Sequence, residues 1–136
     1  MIEISELSQL DEVVLQSPGG LGAHYLADFR GCQSMPNKAD ELERQMLEAA
    51  RRIGATVVSS SFHEFSPHGL SGVVVIAESH LAVHTWPEDK VACVDLFTCS
   101  TDMDPRQGLA YLFESFGVDS MQVTFVDRGI KPNSQK

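Results

Sequence analysis

Most of the reactive side chains in this sequence fall between Ser71 and Cys99, in the stretch SGVVVIAESHLAVHTWPEDKVACVDLFTC. Ser79 offers a hydroxyl, His80 and His84 offer imidazoles suited to proton transfer near neutral pH, Glu78 and Glu88 offer carboxylates, and Cys93 and Cys99 offer thiols. Two kinds of chemistry are open to such a set. A serine at a sharp turn can be pressed toward the preceding carbonyl, although on the residues alone the plainer reading is that Ser79 ends a strand. Alternatively, His80, His84, Cys93 and Cys99 supply the two imidazoles and two thiolates that satisfy a tetrahedral zinc ion, although their spacings are unlike the short ligand pairs of such sites.

The elements around these residues limit what they can do together. Val73, Val74, Val75 and Ile76 form a β-branched run too short for a buried helix, so they read as a core strand, and residues 92–98 read as another. Strand side chains alternate, so Ser79 and His84, five apart, point to opposite faces of an unbroken strand. They share a reaction only if the backbone turns or bulges near Glu78-Ser79. Pro87 has no amide donor, which places Glu88 in a loop beyond the central sheet. Cys99 and Asp95 share a strand parity with Cys93, which reads as buried packing.

Outside this stretch the chain reads as scaffold. Residues 23–29 alternate as a first strand, on which His24 reads as a structural, hydrogen-bonded histidine rather than a ligand. A helix follows, with Asn37 as cap, Asp40 and Glu41 at its positive end, Gly54 at its close, and Leu42, Met46, Ala49, Ala50 and Ile53 on one face. Residues 56–65 form a strand that ends in Phe62-His63-Glu64-Phe65, and Ser66-Pro67-His68-Gly69 turns away from it. Asp104, Pro105 and Gln107 open a second helix that closes near Gly117, and residues 121–127 alternate as a last strand. Residues 1–21 lie over the domain edge and end in the loop signal Ser17-Pro18-Gly19-Gly20, while residues 129–136 are a polar tail. This order predicts an α+β fold: a two-layer sandwich with helices packed on one face of a largely antiparallel sheet.

At 136 residues the chain suits one domain spanning residues 1–136. The net charge of -9, from 19 acidic and 10 basic residues, argues against nucleic acid, and no apolar run is long enough to cross a bilayer. Three cysteines without a CxxC pair suit reduced thiols rather than a disulfide framework. The opening MIEISELSQLDEVV is neither a signal nor a transit peptide, so the cytoplasm is the expected compartment.

The run FHEFSPHGLSGVVVIAESHLAVHTWPE, followed by VDLFTC and preceded by a weaker match in HYLADFRGC, closely resembles the prokaryotic S-adenosylmethionine decarboxylases, pyruvoyl enzymes that cleave their own Glu-Ser bond. The sequence departs from that family at Lys90 and Val91, where a glycine and an aromatic are usual. The resemblance implies that Ser79 attacks the Glu78 carbonyl with help from Ser71 and His84, giving a β chain (residues 1–78) and an α chain (79–136) that begins with a pyruvoyl group. That ketone is the electron sink that pyridoxal phosphate otherwise provides. The resemblance further implies Cys99 as proton donor in turnover, Phe65 as the aromatic that stacks on adenine, Glu88 as acceptor for ribose hydroxyls, S-adenosylmethionine as substrate, polyamine (spermidine) synthesis as the setting, and a homodimer with sites between protomers. Arginine or ornithine stands as the alternative substrate, because sink and proton donor do not themselves select a side chain.

Overall fold

Period-two alternation decides which face each strand buries in the computed structural model, which describes residues 2–12, 20–100, 102–130 and 132. In β6 (Val91–Thr98), Ala92, Val94, Leu96 and Thr98 are buried while Val91, Cys93, Asp95 and Phe97 are only partly so. The neighbouring β2 (Gly22–Arg30) buries Ala23, Tyr25, Ala27 and Phe29 in the same sense. One sheet face therefore needs an apolar cover. Helices α1 (Ala39–Ile53) and α2 (Pro105–Ser115) supply it, the first with Leu42, Met46, Ala49, Ala50 and Ile53, the second with Leu109, Leu112 and Phe113. They approach so closely at Gly108 that an added Cβ there would lie 2.5 Å from Ile53 Cγ2, so a glycine is required.

Besides β2 and β6, the sheet contains β1 (Ile2–Ile4), β3 (Val57–Glu64), β4 (Leu70–Ile76), β5 (Ser79–Trp86) and β7 (Ser120–Arg128). Their order is β1-β7-β2-β6-β5-β4-β3, and every neighbouring pair is antiparallel. The α+β sandwich read from the sequence is the fold observed. The opposite sheet face carries His24, Asp28, His80, His84, Cys93, Asp95 and Phe97, with no helix over it among the described residues. No helix among those residues is long and apolar enough to cross a membrane.

Two local expectations are corrected. Asn37 does not cap α1: the cap position is Lys38, without a side-chain bond, and Glu64 at the end of β3 accepts the Ala39 N–H at 2.7 Å. A carboxylate from a neighbouring strand thus satisfies one free amide and faces the positive helix end. The short β1 was hidden in a segment read only as edge, because three residues show no periodicity. Gly54 closes α1 with a φ of 86°, as expected, and Asp104 Oδ1 accepts the Arg106 N–H at 3.2 Å to cap α2. Ser17, Pro18 and Gly19 of the predicted loop, and residues 131 and 133–136 of the predicted tail, lie outside the described residues.

Candidate active site

The backbone turn demanded by Ser79 is present. Strands β4 and β5 form a hairpin closed by the pair Ile76 and Ser79, so Ala77-Glu78 is its two-residue loop and the Glu78-Ser79 peptide leaves it. Ser79 pairs on its other side with Thr98, the last residue of β6, which brings Cys99 against Glu78. The Glu78 carbonyl oxygen accepts two hydrogen bonds from Cys99: one from its backbone N–H at 3.1 Å and one from its thiol at 3.2 Å. Donors converging on one carbonyl draw electron density from its carbon and stabilise negative charge on its oxygen if a nucleophile adds. The other side of the turn is held by Thr56, whose N–H donates to Glu78 Oε1 at 3.1 Å and whose carbonyl accepts the Ala77 N–H at 2.8 Å.

A second group forms at the far end of the same hairpin. Ser71 and His84 are direct cross-strand partners on the helix-free face. His84 also lines a cleft of about 380 Å³ with Phe65, His68, Trp86 and Glu88. Phe65 is 51% exposed; its N–H donates to the Gly69 carbonyl at 2.8 Å and its ring meets the edge of His63 at 4.6 Å. Glu88 sits in a single 3-10 turn, Pro87–Asp89, as the proline implied, and its carboxylate lies 3.2 Å from His68 Nε2.

The two groups do not meet within one chain. β5 is continuous from Ser79 to Trp86, so five residues, about 17 Å of strand, separate Ser79 from His84. Ser79 also shares the alternation of the buried Leu81 and Val83, whereas His84 belongs to the other face. The turn expected near Glu78-Ser79 exists, yet it precedes the strand and leaves both residues on it. Ser79, Glu78 and Cys99 form one group, and Ser71, His84, Phe65 and Glu88 form another.

The remaining candidates fall elsewhere. His24 is only half satisfied: Arg128 Nη1 donates to its Nδ1 at 3.1 Å, while its buried Nε2 has no hydrogen bond and faces Asp95 Oδ2 at 3.8 Å. A guanidinium only donates, so Nδ1 is the unprotonated nitrogen. Desolvation lowers the His24 pKa, with Asp95 opposing and His80 and Arg128 reinforcing the shift. Cys93 is not buried packing; it stands partly exposed on the helix-free face, donates to Asp28 Oδ1 at 3.4 Å, and is pushed up to about 11 by burial and then by Asp28. Asp95 turns toward His24, and Cys99, beyond the end of β6, has left the alternation they were expected to share. Of the alternative zinc set, His84 and Cys93 are cross-strand partners while the Cys99 thiol is turned to the Glu78 carbonyl, and no three His, Cys, Asp or Glu side chains among the described residues gather to hold a metal.

Sequence reasoning passed over His68 and Thr56. His68 was read only as a turn residue, and Thr56 acts through its backbone, which no residue type announces. The departure at Lys90 also gains a meaning: it closes the Pro87–Asp89 turn with φ 55° and ψ 42°, the left-handed region where glycine carries no penalty.

The model of the family described as S-adenosylmethionine decarboxylase matches residues 23–129. The chain is 47% identical over 110 residues to the S-adenosylmethionine decarboxylase proenzyme of Acidithiobacillus ferrooxidans, a match covering 80% of this chain and 83% of that one. It is 53% identical over 93 residues to the proenzyme of the same name from Thermosipho melanesiensis, covering 68% and 72%. The crystal structure of the adenosylmethionine decarboxylase from Aquifex aeolicus VF5 superposes with a TM-score of 0.70 at 32% identity, covering 84% of this chain and 95% of that one. An antiparallel sheet backed by two helices is thus shared with an adenosylmethionine decarboxylase of known structure. The chain belongs to the S-adenosylmethionine decarboxylase family.

Proposed function

We propose that this protein is a proenzyme of one domain that cleaves itself between Glu78 and Ser79 and then decarboxylates S-adenosylmethionine, a carboxy-lyase step that makes the aminopropyl donor for spermidine. The observation that carries this reading is the Glu78 carbonyl held by both the N–H and the thiol of Cys99, one peptide bond from the Ser79 hydroxyl. Attack by Ser79 Oγ places negative charge on that oxygen, where Cys99 stabilises it. Collapse transfers the Glu78 acyl group from nitrogen to Oγ. Elimination of the resulting ester expels the Glu78 carboxylate, and hydrolysis with loss of ammonia leaves a pyruvoyl group at residue 79.

The residues present fit that group: Ser79 is half-buried at the mouth of the hairpin with a thiol beside it. When formed, the pyruvoyl group supplies the electron sink for loss of carbon dioxide. Cys99 holds a proton at Sγ for return to the substrate carbon. Phe65 offers a flat face to adenine and to a sulfonium, an attraction of about 0.5–2 kcal/mol depending on desolvation. Glu88 accepts from ribose hydroxyls, and Ser71 and His84 assist proton movement during cleavage.

Two copies are proposed to share each site, Ser79, Glu78 and Cys99 coming from one protomer and Ser71, His84, Phe65 and Glu88 from its partner. The support is geometric: about 17 Å of strand separates the half-sites within a chain, against the roughly 3 Å reach of a proton transfer. The cytoplasm is the compartment assigned. Denaturing mass spectrometry and parallel assays of carbon dioxide release test the reading. The wild type should be two chains, Ser79→Ala one chain, and S-adenosylmethionine should be used in preference to arginine or ornithine. Fully active, uncut wild-type protein would refute it, and faster release from arginine or ornithine would refute the nucleoside cleft.

A further inference from the structure

We infer that the side chain of Glu78 is a positioning group for self-cleavage, acting through the backbone of Thr56, and that its carboxylate does so as a hydrogen-bond acceptor. The inference rests on the self-cleavage proposed above. Four hydrogen bonds converge on two residues of this turn. Cys99 holds the Glu78 carbonyl from the β6 side at 3.1 and 3.2 Å. From the β3 side, Thr56 accepts the Ala77 N–H at 2.8 Å and donates its own N–H to Glu78 Oε1 at 3.1 Å. A two-residue loop with only its carbonyl held can rock about the strand axis. Held on both flanks, the Glu78 peptide plane keeps one orientation toward Ser79.

Orientation matters here because attack by Ser79 Oγ on the adjoining carbonyl closes a small ring, and the reacting pair must be held close to attack geometry. The position of Thr56 anchors the clasp: it stands two residues beyond Gly54, where α1 ends in a left-handed residue, and leads directly into β3. One jaw is therefore fixed to the helix layer and the other, Cys99, to the end of β6. This gives the glutamate side chain a task separate from its carbonyl, although it neither gives nor takes a proton in the reaction.

The test follows the rate of chain cleavage after synthesis in a cell-free system, by denaturing gel, for wild type, Glu78→Ala and Glu78→Gln, with thermal unfolding of the uncut forms alongside. Glu78→Ala should cleave about 10- to 100-fold more slowly, the size of one hydrogen bond to a charged acceptor, while remaining folded at the assay temperature. Glu78→Gln keeps an acceptor oxygen at the same reach and should recover most of the rate. Cleavage of Glu78→Ala at the wild-type rate would overturn the inference, as would Glu78→Gln as slow as Glu78→Ala. If wild type itself is never cut, the self-cleavage reading fails instead, which keeps the two failures distinct.

Discussion

Coexpression of Ser79→Ala and His84→Ala chains tests whether the two half-sites belong to different copies. His84 lies five strand residues from Ser79 on the opposite alternation, about 17 Å along β5. A general base contributes roughly 10²- to 10⁴-fold, and only at hydrogen-bond reach, so a chain's own His84 has no such effect on its own Ser79. Each variant alone should therefore stay essentially uncut, the first for want of a nucleophile and the second for want of a proton carrier. In a mixed pair, the His84→Ala chain keeps its Ser79, Glu78 and Cys99 and receives Ser71 and His84 from the Ser79→Ala chain. Random pairing of equal amounts puts about half of the His84→Ala chains in such pairs, so about half should be cut and no Ser79→Ala chain should be. An affinity tag on one variant and denaturing mass spectrometry of the mixture give both fractions. If tagged His84→Ala chains stay whole in the mixture while wild-type chains made in parallel are cut, the shared site is wrong. If they are cut without a partner, His84 has no part in cleavage.

Cys99→Ala removes the thiol but not the N–H on the Glu78 carbonyl, so cleavage should slow by about tenfold and still finish. Turnover should fall much further, with residue 79 accumulating as alanine, read by intact mass. Lys90→Gly relieves a left-handed residue at φ 55° and should raise unfolding free energy by about 0.5–1 kcal/mol in urea titration, net of glycine's extra chain entropy. Burial lowers the His24 pKa, so as pH falls the unfolded chain takes the proton first. The contribution of His24 is then intact above its unfolded pKa of about 6.5 and lost as pH falls from there through the folded value. Urea midpoints at pH 7.5 and 5.5 should separate more for wild type than for His24→Gln.

What the sequence disclosed follows from the range of the interactions involved. Alternation in β2, β6 and β7 and the apolar stripe of α1 are local patterns, and the strands they announced were found within a residue or two of their expected ends. Asp104 and Gly54 act on their own neighbours, so they too were legible. The Asn37 cap failed because Glu64 arrives from another strand, and although His24 is the hydrogen-bonded histidine expected, its partners and its unpartnered Nε2 were not legible because Arg128 and Asp95 come from β7 and β6. For the site, parity showed that Ser79 and His84 could not share a face of one strand. It left open whether a turn would reunite them, and that answer required knowing that β5 begins at Ser79.

The strand order gives the proposed cut a consequence for how the molecule can be made. β1 to β4 lie before Glu78-Ser79 and β5 to β7 after it, yet the order β1-β7-β2-β6-β5-β4-β3 interleaves them, so four of the six ladders join strands from different fragments. Scission leaves those ladders in place, and α1 of one fragment still packs on α2 of the other. The tether that made their formation unimolecular is gone, however. The uncut chain refolds at a rate independent of dilution, whereas the cut molecule, once opened, must reassemble by second-order encounter of two polypeptides, neither of which holds a complete sheet. Maturation therefore acts as a ratchet: the chain folds once as a single thread, and afterwards its native form is kept by the height of the barrier to leaving it.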